Sequence, residues 1–143
     1  MWRIVLVPVL LPALTVPAAV PPVSAAAQAA VAPKKVLVEY WKQGGFAGLN
    51  DHVIVYGNGC VRLSRRTGPT VDKCLTGKEE RKLRTYLKSL KLGRSEGNPP
   101  GADFLKYTLV YKKHSVSRYT LPPSWQPVVQ HLDKIMVKYW APD

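Results

Sequence analysis

Acidic residues are scarce in this 143-residue chain, in which 9 Asp and Glu oppose 21 Lys and Arg and leave a formal net charge of +12. A solvated basic surface is the simplest interpretation of that imbalance, and contact with an acidic surface is the alternative. Cysteine is rarer still, and none precedes Cys60, so the chain lacks the N-terminal cysteine of a bacterial lipoprotein. Apolar residues nevertheless make up 46% of the chain and charged residues 21%. This composition is that of a globular protein, and it excludes a disordered chain.

Charge is also missing from the N-terminal segment, where no charged residue lies between Arg3 and Lys34. The segment is mainly apolar, and the small residues at 24–29 offer cleavage sites. This pattern is typical of an export signal, which we predict over residues 1–29, followed by a linker over residues 30–34. We therefore expect a secreted protein, located outside the cell or in the cell envelope.

An uncleaved membrane anchor is the alternative interpretation of this segment, because about 20 apolar residues can span a bilayer. Proline interrupts a spanning helix, and the segment contains five prolines: Pro8, Pro12, Pro17, Pro21 and Pro22. We therefore expect no stable membrane insertion after cleavage.

The only two cysteines of the chain are Cys60 and Cys74. An even cysteine count in an exported protein indicates a disulfide, whereas two free thiols would belong to a reducing compartment. A zinc site would need further ligands, and no histidine lies near this pair in the sequence. We predict a structural disulfide.

Five segments have the β-branched and aromatic content or the alternation that is typical of strands. They are residues 35–43, 51–56, 60–65, 104–112 and 116–121. Gly57, Asn58 and Gly59 indicate a tight hairpin turn between the second and third strands, because these residue types tolerate positive φ. A second hairpin is expected to turn at residues 113–115.

Two segments have the spacing of helices. Thr76 and Glu79 form the pattern of a capping box, which predicts the start of a helix. Leu83 and Leu87 follow at helical spacing, and Gly93 is expected to end this helix. Ser124 is expected to cap a last helix, whose predicted apolar face contains Val128, Leu132, Ile135, Met136 and Tyr139. The order β-β-β-α-β-β-α predicts an α+β fold for a single domain over residues 35–141. In this fold an antiparallel sheet of about five strands packs both helices on one face.

The three histidines, His52, His114 and His131, are isolated, and none has the spacing of metal ligands. Each is predicted to be exposed or to have its hydrogen bonds satisfied. No nucleophile motif or phosphate-binding loop occurs either. We expect no cofactor, no metal and no enzymatic activity.

Two glycine-bearing loops adjoin predicted strands. They contain Gly44, Gly45, Phe46, Ala47 and Gly48 after the first strand, and Gly101, Ala102 and Asp103 before the fourth. Phe46 is either an exposed anchor or a plug that packs on the core, and composition favours the plug. Asp103 is most simply a turn residue that enters the fourth strand.

Four stretches together resemble emfourin, a small proteinaceous inhibitor of protealysin, which is a thermolysin-like zinc metalloprotease. These are QGGFAGL, the capped helix, PGADFLKYTLVY and LPPSWQPVVQHLD, and the resemblance covers residues 36–135. It implies a β-rich sheet with two helices and an inhibitor that blocks the cleft of a secreted metalloprotease. The two glycine-bearing loops are then the contact candidates, and the alternative role of Asp103 is to approach the zinc ion or an arginine of that cleft. The leader, the cysteine pair and the basic first helix are not features of that pattern.

Basic residues line the expected solvent side of the first helix, among them Lys78, Arg81, Lys82 and Lys88. The simplest interpretation is a solvated helix face. The alternative is a module that binds acidic polymers or surfaces, such as a polyanion or the cell wall, without inhibitory activity.

Overall fold

The computed structural model describes residues 33–140, so the predicted signal segment lies outside the described residues. The chain forms β1 (Val36–Gly44), β2 (Leu49–Tyr56), β3 (Cys60–Ser64), β4 (Val71–Cys74), α1 (Gly77–Ser89), β5 (Leu105–Tyr111), β6 (His114–Arg118) and α2 (Gln126–Trp140). Neither helix is long and apolar enough to cross a membrane.

All strands belong to one antiparallel sheet in the order β4-β3-β2-β1-β5-β6. Strands β1 to β4 follow one another as a meander, and α1 then carries the chain back to the far side of β1, where β5 pairs. The predicted α+β class with an antiparallel sheet and two helices is confirmed; the described residues form six strands, where about five were predicted.

One core joins the helices to the sheet. Alternate strand residues such as Val38, Val53 and Leu63 are fully buried on the face that meets α1 and α2. This alternation places every second side chain of a strand on the same face. The predicted helix stripes also lie in this core, through Leu83, Leu87, Val128, Leu132, Ile135 and Met136.

Trp125, directly before α2, is fully buried. Its indole N–H donates to the carbonyls of Lys91 and Leu92, at 3.1 and 3.3 Å, so the polar atom of this large side chain is satisfied. Ser124 donates to the Lys91 carbonyl at 3.1 Å and therefore ties two segments together, instead of serving as the predicted helix cap.

The capping box at the start of α1 is present as predicted. The Thr76 hydroxyl accepts from the Glu79 amide, and the Glu79 carboxylate accepts from the Thr76 amide at 2.9 Å. The helix ends earlier than predicted, because Leu90 already has extended backbone (φ −69°, ψ 123°). The next two residues, Lys91 and Leu92, are outside the helix, and their carbonyls accept from the Trp125 indole. Gly93 lies in the loop that follows.

Strand β4 is the main addition to the predicted fold. It pairs with β3 in a register that sets Cys74 opposite Cys60, and the two sulfurs are bonded. The predicted disulfide is therefore confirmed, and it joins two neighbouring strands. The strand has only four residues, three of them exposed, so it lacks the apolar alternation by which strands are recognised.

The β5–β6 turn is tighter than predicted. Tyr111 pairs with His114, so the turn consists of Lys112 and Lys113 alone, and β6 begins at His114 instead of Val116. Both lysines have positive φ, +50° and +66°, as a two-residue hairpin turn of this type requires. Lysine is not typical of such turns, which explains why the turn was predicted at residues 113–115 instead.

Candidate functional site

Three glycines in the left-handed backbone region shape the turn between β1 and β2. The angle φ is +87° at Gly44, +70° at Gly45 and +58° at Gly48. Residues with a side chain adopt such angles at a cost of about 1–2 kcal/mol, whereas glycine adopts them readily. The Gly48 amide donates to the Gly45 carbonyl at 3.0 Å and closes the turn.

Phe46 lies at the tip of this turn and is 96% exposed. The prediction that it plugs the core is therefore wrong, and the exposed alternative is the one observed. The glycines on either side reverse the chain within a few residues. The turn is therefore too short for the Phe46 ring to fold back onto the core. Ala47 beside it is exposed as well.

The loop containing residues 101–103 lies at the same end of the sheet as this turn. The Gly45 amide donates to the Phe104 carbonyl at 3.3 Å, and Gly44 pairs with Leu105. A Cβ atom on Gly44 would lie 3.0 Å from the Phe104 carbonyl oxygen, so a side chain here would be crowded as well as strained by the positive φ. The topology explains the contact, because β1 pairs with both β2 and β5 and its end therefore meets both loops.

Phe104 adds a second exposed aromatic side chain at this end of the sheet, and sequence analysis missed it. It is 48% exposed, and a Cβ atom on Gly101 would lie 3.1 Å from its ring. Of the two phenylalanines of the chain, Phe46 therefore lies within the first glycine-bearing loop and Phe104 directly follows the second. The chain has no other phenylalanine, so the position of both beside these loops was a signal in the sequence that could have indicated this site.

Polar groups brace and surround the two loops. Gln43 donates to Asn50 at 3.1 Å across the base of the β1–β2 turn, and the Arg66 guanidinium reaches the Gly48 carbonyl at 3.4 Å. Ala102 and Asp103 are exposed. Within residues 33–140 the Asp103 carboxylate forms no ion pair. The loops thus present one carboxylate, two aromatic rings and a tightly held backbone.

The four predicted basic residues of α1 are all exposed, and two of them line a groove whereas two do not. Lys78 and Lys82 line a groove between α1 and α2, which sequence analysis did not anticipate. Arg81 and Lys88 lie outside it. The groove contains Lys134 and Lys138 of α2, whose spacing of four residues was a readable signal in the sequence.

The histidines are exposed or hydrogen-bonded, as predicted. His52 lies 2.8 Å from Glu39 and stacks on Trp41, with ring centroids 4.4 Å apart. His131 bonds to the Glu79 carbonyl at 3.0 Å, and His114 is exposed. Among residues 33–140, no three side chains of His, Cys, Asp or Glu gather as a metal site would require.

The fold defines an α+β protein whose sheet is crosslinked by a disulfide and whose surface carries an exposed aromatic turn. No protein-family model and no curated protein sequence matches the chain. The resemblance to emfourin therefore supports a proposal and does not assign a family.

Proposed function

We propose that the protein is a secreted inhibitor that inserts its β1–β2 turn, led by Phe46, into the cleft of a thermolysin-like zinc metalloprotease. The observation that carries this proposal is the 96% exposure of Phe46 on a turn held by glycines. Leaving such a ring in water forgoes about 2 kcal/mol of burial, which a partner pocket would recover. The resemblance of the surrounding residues to emfourin supports the nature of the partner.

The rigidity of the turn suits an inhibitor. Association is weakened by the entropy lost when a loop becomes ordered, and a loop that the fold already orders avoids that loss. Here the turn is closed by the Gly48–Gly45 hydrogen bond and backed by the Phe104 carbonyl. The left-handed glycines also keep this backbone from lying as an extended strand, so its peptide bonds are poorly presented for cleavage.

Asp103 has a supporting role in this proposal. Its exposed carboxylate lies in the loop adjacent to the Phe46 turn, so a partner that takes Phe46 also meets Asp103. An arginine or the zinc ion of the protease cleft is the group with which a carboxylate would pair.

Replacing Phe46 with alanine tests the proposal. Phe46→Ala should weaken inhibition of a thermolysin-like protease by about 10- to 100-fold, because a central aromatic anchor contributes about 1.4–3 kcal/mol. The melting temperature should not change. Val137→Ala is the matched control, since it removes an apolar side chain that is 65% exposed on α2 and should leave inhibition unchanged. Equal inhibition by Phe46→Ala and the parent protein would overturn the proposal.

Binding of an acidic polymer without inhibition is the alternative function, and salt separates the two. Attachment to a polyanion weakens steeply as salt rises, because salt screens the attraction and the lysines must displace counterions from the polyanion. Insertion of an aromatic turn into a cleft depends far less on salt. Titrating mature protein against a panel of secreted metalloproteases at low and moderate salt distinguishes these cases.

A further inference from the structure

A groove lined by lysines from both helices runs along the surface between α1 and α2. Its first part, about 210 Å³ in volume, is lined by Lys78 and Lys82 from α1 and by Lys134 and Lys138 from α2. Each pair is spaced by four residues, which sets the two lysines about 6 Å apart along the helix axis. Each wall of the groove therefore repeats positive charge at the same interval.

The groove continues into a second part of about 300 Å³. Lys82, His131 and Lys134 line both parts, so the two are contiguous. Gln126 and Gln130 add uncharged amide groups to the second part. An amide side chain both donates and accepts hydrogen bonds, as a sugar hydroxyl does.

Positive charge in this groove is largely uncompensated. Among residues 33–140, Glu79 is the one carboxylate that lines it, and its oxygens already accept from Lys138 at 2.6 Å and from Tyr139 at 2.7 Å. Within residues 33–140, Lys78, Lys82 and Lys134 have no carboxylate within 4.0 Å. Like charges four residues apart on a helix repel each other, so this arrangement opposes helix stability. A bound anion would relieve that repulsion.

We propose that this groove binds a linear anionic glycan, whose charged groups pair with Lys78, Lys82 and Lys134 and whose hydroxyls meet Gln126 and Gln130. This inference goes beyond the proposed inhibition and uses a different surface. Nucleic acid fits the groove less well, because single strands bind on open aromatic faces. The aromatic residue here is Tyr86, which is half-buried and lies edge-on to His131 with ring centroids 5.8 Å apart.

His131 provides an internal reporter of the bound anion. It is 7% exposed beneath the groove and bonds to the Glu79 carbonyl. Burial lowers the pKa of His131, and the charges of Lys82 and Lys134 lower it further against the opposing effect of Glu79. An anion placed between those two lysines would cancel part of their effect and raise the pKa of His131.

The test compares two double variants that remove the same charge. Lys82→Gln with Lys134→Gln should weaken binding of a short heparin oligosaccharide at least ten-fold. Arg81→Gln with Lys88→Gln, outside the groove, should change it less than three-fold. Equal losses in the two double variants would overturn the site, because they would show attraction by net charge alone.

Three further measurements complete this test. The oligosaccharide should raise the His131 pKa, followed by proton NMR, in the parent protein and in the Arg81/Lys88 variant but not in the Lys82/Lys134 variant. Single-stranded DNA of equal charge that binds as tightly as heparin would overturn the choice of a glycan. Phe46→Ala should bind heparin normally, so failure of this inference and failure of the inhibitor proposal remain distinguishable.

Discussion

Two adjacent lysines, Lys112 and Lys113, are the only residues other than glycine with positive φ in the described part of the chain. Elsewhere the chain uses glycine for this conformation, as at Gly45 and Gly59. The hairpin register leaves no other residues for the β5–β6 turn, because Tyr111 and His114 already pair. The strand pairing therefore imposes an unfavourable conformation on both lysines.

Relieving that conformation should stabilise the protein. Lys113→Gly should raise the free energy of unfolding by about 0.5–1 kcal/mol, since glycine removes a strain of about 1–2 kcal/mol but adds entropy to the unfolded chain. Urea unfolding should show a higher midpoint with an unchanged slope. Lys106→Gly, within β5, is the control and should destabilise. No gain from Lys113→Gly would contradict the strain argument.

Glu79 is the most heavily hydrogen-bonded carboxylate of the helix layer. Burial raises its pKa, but hydrogen bonds from Lys138, Tyr139 and Thr76 outweigh that effect and lower the pKa from 4.5 to about 2. A pKa that is lower in the folded than in the unfolded state adds stability above the unfolded value. That stability is lost as pH falls through the folded value.

Acid unfolding should therefore depend on Glu79. The free energy of unfolding should fall as pH drops from 4.5 towards about 2, and Glu79→Gln should flatten this dependence. The same variant should lose about 1–2 kcal/mol near neutral pH, because the cap and the Lys138 ion pair are weakened. Urea unfolding across this pH range measures both effects. Asp103→Asn is the control. An identical slope of the unfolding free energy against pH for Glu79→Gln and the parent would refute the assignment of this acid dependence to Glu79.

At the scale of elements, the disulfide holds the edge of the sheet. Strand β4 has four residues, and within residues 33–140 its single neighbour in the sheet is β3. So short a strand has few ladder hydrogen bonds to keep it in place. Cys60 and Cys74 face each other in this pair, and their bond fixes the register just before α1 begins.

Removing the disulfide should act locally and on overall stability. Replacing both cysteines with serine should lower the free energy of unfolding by about 2–4 kcal/mol, since the unfolded chain gains conformational freedom. Hydrogen exchange should show faster opening of β4, while β1 and β2 remain protected. A variant that loses less than about 0.5 kcal/mol would contradict this role. The native protein under the same conditions is the reference.

At the scale of the whole molecule, one continuous core supports both proposed surfaces. The core joins both helices to strands of the sheet, with Trp125 fully buried among them. The Phe46 turn extends from an end of the sheet, whereas the lysine groove belongs to the helix layer. Because both surfaces lie outside this core, substitutions on them should leave the fold intact. Binding measurements on such variants therefore report on contacts.

Local patterns explain what could be predicted about the fold. The Thr76 and Glu79 capping box joins residues three apart, and the Gly57–Gly59 turn joins adjacent strands, so each is complete within a short sequence window. Strand β4 and the two-lysine turn were not predictable in this way. Pairing with an existing neighbour determines them, and their own residues carry little strand or turn preference.

The sequence by itself determined the start of α1, the buried faces of the helices and the cysteine pair, because side-chain periodicity and residue chemistry specify these features locally. Only the tertiary structure decided that residues 44–48 meet residues 101–103, that Phe46 is exposed, and that Lys134 and Lys138 face Lys78 and Lys82. Each of these depends on which strands pair with β1 and on how α2 packs against α1. Such contacts join residues far apart in the chain, and the buried core as a whole determines them.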